Sequence, residues 1–153
     1  LALRTLAVAA IGVAMSLAVS ADGVRAAEMA KYKVVDEHSI PKSLTGKAGD
    51  AANGRKVAIH RKKGNCLACH KMPIPEQLFH GTIGPDLAGV ASRYSEAELR
   101  LRVVDPKVLN ADTIMPSFYR DSGYTAVLKP FKGKTIISAQ DVEDIVAYLM
   151  TLK

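Results

Sequence analysis

Two cysteines and a histidine stand within five residues, Cys66-Leu67-Ala68-Cys69-His70, and the chain has no other cysteine. On a helical turn, residues three and four apart share a face. Both thiols can then reach the two vinyl groups along one edge of a haem. The imidazole of His70 can turn under the macrocycle and offer a nitrogen to the iron. This C-x-x-C-H spacing reads as covalent attachment of a c-type haem. Other chemistries fit less well. Tetrahedral zinc takes four ligands, usually two such pairs, and no second pair exists. A thioredoxin-like redox pair needs a strand before it and a helix after it; Lys71-Met72-Pro73 follows instead. A structural disulfide leaves His70 without a role.

A haem closed on both sides needs a second donor. Met72 is too near His70 to reach around the plane. His80 is expected to be an exposed loop histidine, His60 to be solvated beside a basic run, and His38 to lie in the N-terminal arm. Met150 belongs to the core of the last helix, and Met15 leaves with a leader segment. Met115 is the expected distal ligand. It lies in a loop and precedes Pro116, which stiffens the backbone; a core-filling methionine is the ordinary alternative. A His/Met pair raises the reduction potential and leaves no open position at the iron. Such a chain shuttles one electron and does not transform a small substrate. The carbonyl of Pro85 is expected to accept the hydrogen bond from His70 Nδ1–H, fixing the ring, with Gly84 letting the backbone approach it. The alternative is that Gly84-Pro85 is simply a turn.

The elements that position these groups can be read along the chain. A helix is expected over residues 49–60, with Asp50 as N-cap and Gly54 marking the close approach of another helix. Gly64 allows a tight bend into the cysteine motif. Residues 72–83, with Pro73 and Pro75, form a loop. Ser95-Glu96-Ala97-Glu98 is a capping-box pattern that opens a short helix ended by Asp105-Pro106. Residues 110–116 form the loop of Met115. Residues 117–135 are irregular, and 135–137 briefly extended. Ser138 to Asp141 repeats the capping pattern, and Val142, Ile145, Val146 and Leu149 make one apolar helical stripe. The polar stretch 28–45 reads as a loose terminal arm, with packing on a partner subunit as the sharper alternative.

A chain of 153 residues with no tryptophan and 5% aromatics is short of core mass for one domain. A large flat apolar cofactor at its centre supplies that mass. Arg4 and the apolar run 6–19, followed by Val24-Arg25-Ala26-Ala27, read as a signal peptide cleaved after Ala26 or Ala27. The expected division is residues 1–26 as leader, 27–45 as arm and 46–153 as haem domain. Cleavage of such a leader would export the protein and leave it no membrane attachment. The net charge of +6 suits an acidic protein partner. Export and the lack of basic-aromatic interleaving argue against nucleic acid. Lys47, Arg55, Lys56, Arg61, Lys62 and Lys63 precede the cysteine motif. They either steer that partner or form a solvated face.

The cysteine motif, the Gly84-Pro85-Asp86-Leu87 turn, Met115-Pro116 and the C-terminal amphipathic helix together resemble the class I cytochromes c. The runs Gly64 to His70, Met115-Pro116-Ser117-Phe118-Tyr119-Arg120 and Ala139 to Leu149 resemble, more narrowly, the small monohaem subunit family, SoxX, of the SoxAX cytochromes. The likeness covers residues 43–153. It implies an all-α, class I cytochrome c-like domain with long loops and one haem c. Cys66 and Cys69 would be its thioether anchors, His70 its proximal ligand and Met115 its distal ligand. It also implies a periplasmic heterodimer with a larger SoxA-type cytochrome, acting as an L-cysteine S-thiosulfotransferase. That complex couples thiosulfate to a cysteine of the SoxYZ carrier and passes electrons to a soluble cytochrome c. This chain would be its electron-transfer, non-catalytic subunit. A free-standing soluble electron carrier is the alternative, and a haem enzyme or sensor with an open iron site is a third class.

Overall fold

The computed structural model describes residues 29–153; the expected leader lies outside them. Four α-helices carry the fold: α1 (Ala51–Ile59), α2 (Val90–Arg93), α3 (Glu96–Val104) and α4 (Ala139–Leu149). Short 3-10 turns at Cys66–Ala68, Pro106–Val108 and Lys129–Phe131 punctuate the loops between them. Among the described residues the only β feature is an isolated bridge between Val35 and Ser39. No helix described is long and apolar enough to cross a membrane.

The helices begin where their side chains can satisfy free N–H groups. Asp50 accepts from Ala52 N and Asn53 N and opens α1. Ser95 with Glu98, and Ser138 with Asp141, form complete capping boxes at α3 and α4. Asp105-Pro106 ends α3, as expected from the clash of proline with a continuing helix. The expected stripe on α4 is buried: Val142, Ile145, Val146 and Leu149 all lie in the core. Each contributes about 1.5–3 kcal/mol relative to exposure.

α1 and α4 cross in direct backbone contact. A Cβ on Gly54 would come within 1.8 Å of the Asp144 carbonyl oxygen, and one on Gly49 within 2.1 Å of the Glu143 carbonyl oxygen. Asp144 fastens the crossing by accepting from Asp50 N at 2.8 Å and Asn53 Nδ2 at 2.7 Å. The role expected of Gly54 is therefore observed.

Three expectations need correction. First, the stretch from residue 29 is no loose terminus. Ile40 is fully buried and donates its N–H to Ala97 O at 3.0 Å. Arg100 Nη1 donates to the Ile40 carbonyl at 2.8 Å, Leu44 N to Glu143 Oε1 at 2.8 Å, and Ala30 N to the Tyr119 hydroxyl at 2.7 Å. The strap returns to its own domain because α3 and α4 offer it buried hydrogen-bond partners. Second, the residue in the left-handed region before the cysteine motif is Asn65, φ 47°, rather than Gly64. Asn tolerates that region. Gly64 is needed for close approach, since its Cβ would lie 2.8 Å from the Val57 carbonyl oxygen, and its own N–H bonds that oxygen. Third, residues 135–137 form no strand; the N–H groups of Ile136 and Ile137 both go to the Phe118 carbonyl.

Candidate functional site

The cysteine motif is wound as one tight turn. Cys69 N and His70 N both donate to the Cys66 carbonyl, at 3.1 and 2.8 Å. The following loop is zipped back onto it: Gly81 N donates to Leu67 O, Gly84 N to Cys69 O and Leu87 N to Lys71 O. Only glycine fits at two of these places. A Cβ on Gly81 would meet the Ala68 carbonyl oxygen at 2.2 Å, and one on Gly84 the His70 ring carbon Cε1 at 2.4 Å. His70 Nδ1 donates to the Pro85 carbonyl at 2.7 Å. Nε2 is left with the lone pair.

A crevice of about 810 Å³ opens beside this turn. Cys66, Cys69, His70, Gly84 and Pro85 form one wall; Met115, Pro116, Phe118, Pro130, Phe131, Lys134, Thr135 and Ile136 form another. A second space of about 480 Å³ continues it inward, between Cys66, His70 and Pro85 on one side and Leu99, Val103, Met115, Phe118, Ile145 and Leu149 on the other. Cys66, His70, Pro85 and Met115 line both spaces. The structure thus brings the two cysteines, His70, Pro85 and Met115 to one crevice.

The electrostatics separate the competing chemistries. No disulfide joins Cys66 to Cys69. Burial pushes the Cys66 thiol up to about 11. A redox C-x-x-C pair needs the reverse, a thiol depressed by a helix N-terminus or a neighbouring cation. Among the described residues no three His, Cys, Asp or Glu side chains gather to hold a bare ion, which speaks against zinc. An apolar slot with two unpaired thiols and a pre-oriented imidazole at one wall fits a flat metal macrocycle.

The other candidate ligands fall elsewhere. Met72 is buried in the core and Met150 packs against it. His60 and His38 are exposed, as expected. His80 is not the exposed histidine foreseen from its loop. Its Nδ1 accepts from Met72 N at 3.2 Å, and its Nε2 is buried without a partner. It lines neither space. Of the six basic residues, Arg61, Lys62 and Lys63 stand at the crevice. Lys63 also pairs with Asp141, and Arg55 pairs with Glu76. Sequence reasoning missed the wall at Thr135, Ile136, Pro130 and Phe131, which belongs to irregular chain with no periodicity to reveal it.

A small helical domain folded around a C-x-x-C-H turn and a facing methionine loop defines a single-haem, class I cytochrome c. The comparisons agree. The cytochrome c family profile matches residues 51–153, and the chain belongs to the cytochrome c family; its cofactor is covalently bound haem c. More narrowly, it is a SoxX-like monohaem cytochrome. It is similar to a chain of the SoxXA crystal structure from P. pantotrophus, with 38% identity and a TM-score of 0.73, over 78% of this chain and 93% of that one. No curated protein sequence matches the chain.

Proposed function

We propose that this chain is the electron-transfer subunit of a periplasmic SoxAX-type complex, with Cys66 and Cys69 holding haem c by thioether bonds, His70 as proximal ligand and Met115 as distal ligand. The observation that carries the assignment of roles is the crevice shared by Cys66, His70 and Met115, with His70 Nδ1 already committed to Pro85. Haem c supplies a one-electron iron couple when bound. The chain's own residues do the rest. Pro85 holds the His70 ring through Nδ1 and leaves Nε2 to bind the iron, and its pull on Nδ1–H raises the basicity of Nε2. Phe118, Leu99, Val103 and Ile145 line the inner space with apolar surface that excludes water, and Met115 would supply the thioether that holds the iron opposite His70.

The partner is a larger SoxA-type cytochrome, in line with the SoxXA assembly to which the chain is similar. In the complex, a SoxYZ cysteine thiol loses its proton, its sulfur bonds to the outer sulfur of thiosulfate, and the oxidation releases two electrons. They leave one at a time through this chain to a soluble cytochrome c. Both cysteines here are occupied by the cofactor, so the sulfur chemistry belongs to the partner. Arg61 and Lys62 at the crevice mouth attract an acidic electron partner, so electron exchange slows as salt rises.

The test is purification of the native protein from periplasm of thiosulfate-grown cells, with mass and haem stain as readouts. Co-purification with a larger c-type cytochrome, together with a methionine–iron charge-transfer band in the oxidised spectrum, is the expected result. A monomer with no affinity for such a cytochrome makes the chain a free-standing carrier.

A further inference from the structure

The loop that carries Met115 is tied down by one buried carboxylate. Met115 N donates to Thr113 Oγ1 at 3.2 Å, and Lys107 Nζ to the Thr113 carbonyl at 2.5 Å. Two residues beyond Met115, Ser117 is wholly buried. Its hydroxyl donates to Asp105 Oδ1 at 2.5 Å, and its carbonyl accepts from the Tyr124 hydroxyl at 2.5 Å. Asp105 Oδ1 also accepts from Lys107 N at 3.3 Å, and Oδ2 accepts from Arg120 Nη1 at 3.3 Å. Arg120 donates in turn to the carbonyls of Ser122 and Gly123, and lies 4.7 Å from the centroid of the Tyr124 ring.

Asp105 stands at the C-terminal end of α3, where a carboxylate opposes the helix dipole. Burying a charge there costs stability unless it is paired and hydrogen-bonded. Stability of α3 does not account for it. The pairing does: one side chain joins the end of α3, the Pro106–Val108 turn, the methionine loop and the turn at 120–124. Leu109, Thr113, Met115 and Phe118, all within this braced stretch, line the inner crevice.

We propose that Asp105 is a positioning residue for the Met115 thioether and acts through Ser117. The inference rests on the reading of Met115 as distal ligand. With the brace intact, the loop holds the sulfur over the crevice. Without it, the loop lifts and an outside ligand replaces the sulfur.

Imidazole added to the oxidised holoprotein reads this directly, through its association rate and the loss of the methionine–iron band. Asp105→Ala and Ser117→Ala bind imidazole about tenfold faster or more than wild type, the worth of one hydrogen bond to a charged group. Should Asp105→Ala fail to fold, Ser117→Ala carries the test alone. Asp105→Asn, which keeps an acceptor for Ser117, restores most of the slow rate. The double Asp105→Ala, Ser117→Ala variant is no faster than the faster single, because both remove one interaction. Ile40→Val, a core change in the strap away from the brace, binds at the wild-type rate. Met115→Ala lacks the band and binds fastest. Wild-type rates in the Asp105 and Ser117 variants beside a fast Met115→Ala overturn the positioning role alone. A wild-type rate in Met115→Ala overturns the distal-ligand reading and this role with it.

Discussion

The two walls of the crevice are built in opposite ways. The His70 wall is local: Cys66, Cys69, His70, Gly84 and Pro85 are fixed by hydrogen bonds within one stretch of chain, among them Gly84 N to Cys69 O and His70 Nδ1 to Pro85 O. The Met115 wall is assembled from distant parts. Its loop leans on Asp105 and Tyr124. Tyr119 receives the N–H of Ala30 in the strap, and Phe118 receives the N–H groups of Ile136 and Ile137. Behind it, α3 is bolted to α4 and to the strap through Arg100. On the proposed reading, attachment of the cofactor is written into a short motif, whereas the wall that faces it depends on the whole domain.

The strongest way to break this comparison is at the motif. Replacing Cys66 and Cys69 together by Ala leaves a polypeptide with no covalently held haem, read by intact mass and by haem stain after denaturation. No substitution on the Met115 wall does this. Retention of covalent haem in the double variant would remove the His70 wall from its assigned role.

Next in size is Arg100. It is 2% exposed and meets Glu143, itself 3% exposed, through three contacts of 3.0–3.2 Å. It also pairs with Glu96 across one helical turn. Arg100→Ala strands a buried carboxylate, and a loss of about 3–5 kcal/mol is expected in urea melts of the holoprotein. Because the same side chain holds the Ile40 carbonyl, the strap loosens with it. Protease cleavage near residue 40 appears in the variant and not in wild type. Replacing the pair together, Arg100→Met with Glu143→Leu, recovers most of the loss. Equal instability in the double variant would mean that the pair holds the strap by more than charge balance.

Gly84→Ala sharpens the comparison from the local side. The added methyl would sit 2.4 Å from the His70 ring, so either the ring or the 84–85 turn must move. Overpacking of this kind costs about 1–3 kcal/mol. The haem remains covalently attached, while the reduction potential shifts because the hydrogen bond to Pro85 is disturbed. A potential identical to wild type would show that ring and turn shift together and that the His70–Pro85 hydrogen bond survives the added methyl.

The same division decides what could be read from the sequence. Asp50, the two capping boxes, the α4 stripe and Gly54 follow local rules of spacing and charge, and each stands where those rules put it. The contact of His70 with Pro85 was legible because a glycine and a rigid carbonyl follow the motif closely. The α2 helix, Val90–Arg93, is too short to show a period. Glu143 lies off the apolar stripe of α4, so spacing alone gives no sign of its burial. Only the return of the strap and of α3 buries it. His80 was misplaced for the same reason: nothing in a proline-rich loop announces that its imidazole will accept the N–H of Met72. The Asp105 brace joins residues with no shared periodicity, so it had no sequence signal at all.

The smallest effect is expected where the two walls are joined to α4. Lys63 Nζ, just ahead of the cysteine motif, lies 3.0 Å from Asp141 Oδ1, and Asp141 Oδ2 accepts from Ser138 N at 3.1 Å. Burial alone would raise the Asp141 carboxyl. The Ser138 N–H and the Lys63 ammonium outweigh it and hold the carboxyl below its ordinary 3.8. A carboxyl depressed in the folded state adds stability above its unfolded value and loses that addition as pH falls through the folded one. Stability from this group is therefore level at neutral pH and declines only below about 4. Asp141→Asn keeps the side-chain shape, loses the charge, and costs about 1 kcal/mol at pH 7, since Lys63 is partly solvated and a cap is only weakened. As pH falls from 7 to 3 the difference between variant and wild type narrows. Denaturant melts at the two pH values measure this directly. A difference that persists unchanged at pH 3 would show that Asp141 acts through shape and not through charge, and that the link between motif and last helix does not depend on Lys63.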